Sequence, residues 1–227
     1  MTLMEEIALR QSTRFGLLVL GCLAALIYAA VFCYRGPSVA KTVVKSVPLL
    51  SFAGAGLVSF ANPFVVGALF MSAVGDIALS RDGERPFLVG LVAFALAHVL
   101  YILHFWGLAG GITGAFEVPM LPVLVILFAL STEWWLAPHT DDMRWPVRVY
   151  VVLIAVMGLL ALGLPGMLLA TLGAFAFLAS DTILSIQLFR MDEQSRWQVP
   201  AAVALWLLYA GGQFIILVGA GWQTPLF

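Results

Sequence analysis

Charge is what this chain has least of. Only 10% of its 227 residues are Asp, Glu, Lys or Arg, against about a quarter in soluble domains. With 63% hydrophobic residues and a mean hydropathy of +1.05, the composition excludes a soluble globular protein and indicates an integral membrane chain. A net charge of −1 excludes the basic footprint of a nucleic-acid binder. The single asparagine, Asn62, is followed by Pro63, so no N-glycosylation acceptor exists. The two cysteines, Cys22 and Cys33, are separated by about 16 Å if helical, too far for a disulfide. Three histidines are too few and too scattered for a three-His zinc site. His98 and His104 differ by about 240° around a helix, and His139 falls in a connection. There is no G-x-S-x-G nucleophile elbow and no glycine-rich phosphate loop.

What is present is a series of apolar stretches near the 20 residues a spanning helix needs. Eight are expected, at about 14–34, 42–60, 62–80, 86–108, 118–137, 146–164, 166–189 and 198–221. The fold class is all-α, a polytopic membrane helix bundle. The first stretch is too long for a signal-peptide core. No linker is long enough to divide the chain, so residues 1–227 read as a single membrane domain. The division at Asn62-Pro63 is the weakest. If 42–80 were one kinked element, seven spans would remain. Charge favours eight: with strict alternation, nine of the eleven Lys and Arg residues fall on one face, and only Arg10 and Arg14 on the other. The positive-inside rule then puts the charged loops in the cytoplasm and both termini outside, as in a bacterial inner membrane. Trp106, Trp134, Trp135, Trp145, Trp197 and Trp222 lie near span ends, where interfacial anchors belong.

Against that background two acids stand out. Asp76 and Asp181 lie inside the third and seventh apolar stretches, where a carboxylate costs roughly 2.5–3.5 kcal/mol on insertion scales and so marks a pathway or a reactive site. Their contexts are alike, Gly75-Asp76-Ile-Ala-Leu79-Ser80 and Ser180-Asp181-Thr-Ile-Leu184-Ser185. Being four helices apart they run in the same direction, which hints at a four-plus-four duplication. Both lie toward the basic end and are expected to face one cavity open to it. Capping or helix pairing is the plainer alternative for each acid alone. His98 and Tyr101 share a face of the fourth span, and Tyr209 and Gln213 share a face of the eighth. Lys45 opens the second span, and Ser72, Ser80 and Ser185 flank the acids. Ordinary interhelical hydrogen bonding would also account for the tyrosine and glutamine. A shared cavity accounts for all of them together, since buried polar groups need partners. Glu133 reads as an interfacial residue beside Trp134 and Trp135.

In order along the chain, Lys45 with Pro48, Gly75-Asp76-x-x-Leu79, Phe94-x-x-x-His98-x-x-Tyr101, Gly173-x-x-x-Phe177-x-x-Ser180-Asp181 and Tyr209-x-x-x-Gln213 resemble the motifs of the YhhN/TMEM86 membrane proteins. The lysine and proline, adjacent in that family's pattern, are separated here by Ser46 and Val47. The characterised members are lysoplasmalogenases. The resemblance, over about residues 40 to 220, implies hydrolysis of the vinyl ether bond of a lysophospholipid to a fatty aldehyde and a glycerophospho-alcohol. It implies no metal and no other cofactor.

That chemistry suits paired carboxyl groups. A vinyl ether is cleaved by proton transfer to its β-carbon, and the oxocarbenium ion formed is trapped by water. Glycosidases meet a related cation with two carboxyl groups in unlike environments. Asp76 and Asp181 are the expected catalytic pair, with depth in the membrane favouring Asp181 as the acid. His98, Tyr101, Ser180, Tyr209 and Gln213 are expected to line the substrate site, and Lys45 to meet its phosphate. The lipid chain would lie in an apolar crevice. The expected partners are a lysophospholipid and membrane lipids, with no nucleic acid; the sequence says nothing of oligomeric state. A proton-coupled or small-molecule transporter, or a hydrolase of another lysolipid, is the competing reading.

Overall fold

The structure is a computed structural model that describes residues 2–223. Eight α-helices follow one another: α1 Leu3–Ile27, α2 Val39–Val58, α3 Pro63–Leu79, α4 Glu84–Ala109, α5 Met120–Trp135, α6 Arg144–Leu162, α7 Leu168–Phe189 and α8 Gln198–Ala220. A π-helical stretch, Tyr28–Phe32, extends α1. No strand occurs among the described residues. The eight expected stretches are thus eight helices, and residues 42–80 are not one kinked element. The 59–62 connection separates α2 from α3 because Phe60 takes a left-handed φ of 56°. Asn62 then caps α3, its Oδ1 accepting from Phe64 N–H at 2.9 Å, and Pro63 supplies the fixed φ suited to a first helical position. Seven helical stretches are long and apolar enough to cross a membrane; α3, with 17 residues, is about 25 Å long and somewhat shorter than a bilayer core.

One boundary differs from expectation. The first helix starts at Leu3, not near residue 14. A capping box at Thr2 and Glu5 nucleates it: Glu5 N–H donates to Thr2 Oγ1 at 3.3 Å, and Thr2 N–H to Glu5 Oε2 at 2.8 Å. The polar turns that follow are helical for this local reason, which the hydropathy of the segment does not register.

Contacts across the connections define two ends. At one, Thr42 and Ser80 hydroxyls meet at 2.6 Å, Arg148 donates to Glu133 at 2.5 and 2.8 Å, and Phe87 meets Phe189 edge-on. At the other, Asn62 N–H donates to Gly221 O at 2.6 Å, Trp222 donates to Ser59, and Arg14 lies over the Trp222 ring. The first is the basic end of the charge pattern. Helices α7 and α8 approach closely because both carry glycine where they meet: a Cβ at Gly173 would lie 2.7 Å from Gly212 O, and one at Gly212 2.8 Å from Gly173 O. Buried residues from α1 to α4 and α6 to α8 form a continuous core. Helix α5 rests mainly on α6, which leaves a gap beside it.

Candidate active site

Asp76 and Asp181 line the same small pocket, of about 330 Å³, together with Lys45, Phe94, Ser180, Trp206 and Tyr209. The common surroundings expected of the two acids are therefore present. Each carboxyl is buried, with Asp76 1% and Asp181 6% exposed, so Asp181 is not the more enclosed of the two. Position along a helix misjudged this because α2 and α8 close over Asp76.

The two carboxyls have unlike partners. Asp76 Oδ1 lies 3.3 Å from Lys45 Nζ, and Asp76 Oδ2 accepts from Tyr209 O–H at 2.8 Å. An ammonium group and a phenol thus hold it as a carboxylate anchor. Lys45, expected to meet a substrate phosphate, has this internal partner. Asp181 Oδ2 accepts from Tyr150 O–H at 3.0 Å and lies 3.4 Å from His98 Nε2. No lysine or arginine pairs with it among the described residues.

The His98 contact carries chemical information. His98 Nδ1 is 2.8 Å from the Phe94 carbonyl oxygen, which only accepts, so Nδ1 bears a hydrogen. In neutral imidazole Nε2 is then a lone pair. It is buried without a hydrogen bond and faces a carboxyl oxygen. Two acceptors do not attract; a proton on Asp181 or on Nε2 makes the contact favourable.

The wiring repeats with an offset of four helices. Asp76 on α3 is met from α2 by Lys45 and from α8 by Tyr209; Asp181 on α7 is met from α6 by Tyr150 and from α4 by His98. Each half's acid takes one partner from the preceding helix and one from the last helix of the other half. The pattern follows the four-plus-four arrangement suggested by the two matching segments.

Tyr101 and Gln213 form a layer behind the pocket; neither they nor His98 line it. Tyr101 O–H donates to Gln213 Oε1 at 2.5 Å, Gln213 Nε2 donates to Ser72 Oγ at 2.6 Å, and the Ser72 carbonyl also accepts from Tyr209 at 3.3 Å. This chain ties α4, α8 and α3 together and fixes the tyrosine that holds Asp76. Ser180 lines the pocket, but its hydroxyl donates to Phe177 O at 2.6 Å. Ser80 is spent on Thr42 and on Ile77 O, and Ser185 on the Asp181 carbonyl. Glu133 pairs with Arg148 at the basic end, away from both acids. His104 is buried with Nε2 against Ala220 O. Cys22 and Cys33 are free.

Two site residues escaped the sequence reading, Tyr150 and Trp206. The only signal for Tyr150 was a lone tyrosine four residues into an apolar stretch, where interfacial tyrosines are common.

A larger crevice lies beside the pocket, between α4, α5, α6 and α7. Its lining is almost wholly apolar, with Phe87, Phe128, Ala129, Ile154, Ala155 and Leu188 among the residues. It shares Leu79, Phe94, Asp181 and Leu184 with the polar pocket, so Asp181 stands where the two meet. No set of His, Cys, Asp or Glu among the described residues is arranged to hold a metal ion.

Fold and site together define a polytopic helical membrane protein with two buried carboxyls on one polar pocket, the second of which, Asp181, also borders an apolar crevice. The chain belongs to the YhhN family, whose model matches residues 39–220. It is 35% identical over 165 residues to lysoplasmalogenase TMEM86B of Sus scrofa, covering 67% of this chain and 65% of that protein. It is 33% identical over 155 residues to lysoplasmalogenase TMEM86B of Homo sapiens, covering 65% of this chain and 62% of that one. The matched region thus spans a little under two thirds of those relatives. No solved structure matches the chain.

Proposed function

We propose that this chain is a membrane-embedded hydrolase that cleaves the vinyl ether bond of a lysoplasmalogen by acid catalysis. The observation that carries the reading is the unlike pairing of two carboxyls on one pocket: Asp76 with a lysine, Asp181 with a histidine that requires a proton between them. The lysoplasmalogenase names of the two relatives supply the substrate class.

The substrate's single chain lies in the apolar crevice and its glycerophospho head in the polar pocket, which brings the vinyl ether to Asp181. Asp181 gives its proton to the β-carbon, breaking the C=C π bond and forming a C–H bond. The positive charge passes to the α-carbon and ether oxygen. Asp76, a fixed carboxylate, stabilises that charge electrostatically. Water adds to the α-carbon and returns a proton to Asp181, with His98 steadying it. The hemiacetal then collapses to a fatty aldehyde and a glycerol hydroxyl. One water is consumed, and the balance needs no oxidant or reductant. Lys45, between Asp76 and the head group, faces the phosphate as well as its internal partner.

The polar pocket lies in the half of the bundle nearer the basic end. Farther along the bundle Leu69, Phe105, Ile216 and Leu217 are fully buried and fill the core, which favours a pocket over a transport path. By the positive-inside rule the basic end is cytoplasmic and the crevice meets the inner leaflet, as a bacterial inner-membrane protein would have it. The test is aldehyde release in detergent from a vinyl-ether lysolipid, comparing wild type with Asp76→Asn and Asp181→Asn. Loss of about 10²–10⁴-fold in both variants supports the reading. Turnover near wild type in either removes that acid from the chemistry.

A further inference from the structure

Of the seven tryptophans, Trp206 alone lies well inside a helix, nine residues into α8. It is 1% exposed and forms a wall of the polar pocket beside Lys45, Asp76 and Tyr209. We propose that Trp206, held in place by α1, is a specificity-determining residue that sets the size of the head group the pocket admits. The inference rests on the lysolipid reading above and deepens it.

The indole is fixed from several directions. Its one donor, Nε1–H, is given to the Ala25 carbonyl of α1 at 2.9 Å. The Tyr28 ring packs against it with centroids 4.2 Å apart, and the Tyr209 ring lies at 5.6 Å. Tyr209 in turn holds Asp76. Only one orientation of the indole satisfies these contacts together, so the wall is rigid.

Residues 1–38, which include α1 and its π stretch, lie outside the part of the chain that matches the family model. Most of α1 faces outward; its buried positions are Gly21, Ala24, Ala25 and then Tyr28, a narrow line against α2 and α8. Gly21 allows the approach, since a Cβ there would lie 2.4 Å from the Phe52 ring. At Tyr28 the helix widens to a π turn, with Cys33 N–H donating to Tyr28 O at 3.0 Å. A π turn inserts one extra residue and so re-aims neighbouring side chains, a device found often at functional sites. Here the widened turn carries the ring that backs Trp206. Residues outside the matched region thus brace the pocket wall through the Ala25 carbonyl and the Tyr28 ring.

The test uses three vinyl-ether lysolipids, with phosphoethanolamine, phosphocholine and phosphoinositol heads, and saturated ether analogues that bind without cleavage. Trp206→Ala is expected to raise the kcat/KM ratio of the inositol to the ethanolamine lipid about tenfold, chiefly through KM. Trp206→Phe and Tyr28→Leu should shift it the same way by about threefold. The saturated analogues, read by ligand-induced thermal shift, should follow the same order. An unchanged ratio in a folded Trp206→Ala protein overturns the proposal. If that variant does not fold, an unchanged ratio in both milder variants overturns it. If wild type cleaves none of the three lipids, the hydrolase reading fails, and the analogue binding order alone decides the role of Trp206.

Discussion

His98 Nε2 and Asp181 Oδ2 face each other at 3.4 Å, and the hydrogen on Nδ1 is already committed to the Phe94 carbonyl. In the proposed mechanism this contact holds the proton where the polar pocket meets the apolar crevice. His98→Gln should lower kcat for vinyl-ether cleavage by about 10²-fold while the protein still folds. Because the step needs the proton in place, wild-type kcat should fall as pH rises, and that alkaline limb should move in His98→Gln. Tyr150→Phe removes one hydrogen bond to the same oxygen and should cost about tenfold. A pH–rate series in detergent checks both; an identical limb in wild type and His98→Gln would remove the histidine from proton storage.

The Lys45–Asp76 pair is the complementary case. Its side chains are 14% and 2% exposed, so removing one partner leaves a buried charge. Lys45→Met should destabilise the protein by about 3–5 kcal/mol if Asp76 stays ionised. The double variant Lys45→Met/Asp76→Asn should recover most of that stability and none of the activity. Thermal unfolding in one detergent, run as a double-mutant cycle, measures the coupling. Additive single effects would show that the two groups do not act as a pair.

The helix contact that carries Asp181 and Tyr209 can be tested without touching either. A side chain at Gly173 must push against the α8 backbone and Ile216, so Gly173→Val should cost about 1–3 kcal/mol and lower turnover. Gly211 has open space at its Cβ position, and Gly211→Ala should leave both quantities near wild type. Equal effects at the two glycines would contradict the close α7–α8 approach.

What the sequence reveals of this site follows from contrast. Asp76, Asp181, His98 and Gln213 are conspicuous because hydrocarbon-like surroundings make each polar group an exception. Helical spacing then pairs His98 with Tyr101 and Tyr209 with Gln213, since both relations lie within one helix. Contacts between helices are not periodic in sequence. The Tyr209–Asp76 bond joins residues 133 apart and the Tyr150–Asp181 bond joins residues 31 apart. Hence the division of labour was hidden: Lys45 looked free for a phosphate, Tyr101 and Gln213 looked like pocket wall, and nothing marked Tyr150 as a partner of Asp181. Trp206 was hidden most deeply, because its partners lie on α1, 181 positions away in the case of Ala25.

The crevice makes a prediction about chain length. Ala129 on α5 and Ala155 on α6 line its walls, with Val125 and Ile154 nearby. Each methylene the crevice buries contributes about 0.8 kcal/mol, so affinity should rise with chain length until the crevice is full. A phenylalanine at Ala155 occupies the space of several methylenes. If it displaces three, a long-chain lysolipid loses about 2.4 kcal/mol, or roughly fifty-fold in kcat/KM, while a chain too short to reach that depth loses little. Because the proposed mechanism puts the reacting bond at Asp181, the loss should appear in KM with kcat largely kept. Assays of Ala155→Phe with vinyl-ether lysolipids of graded chain length check this. A uniform loss at every length would place the chain elsewhere, and Ala129→Phe, on the facing helix, should show the same length dependence if both residues border one channel.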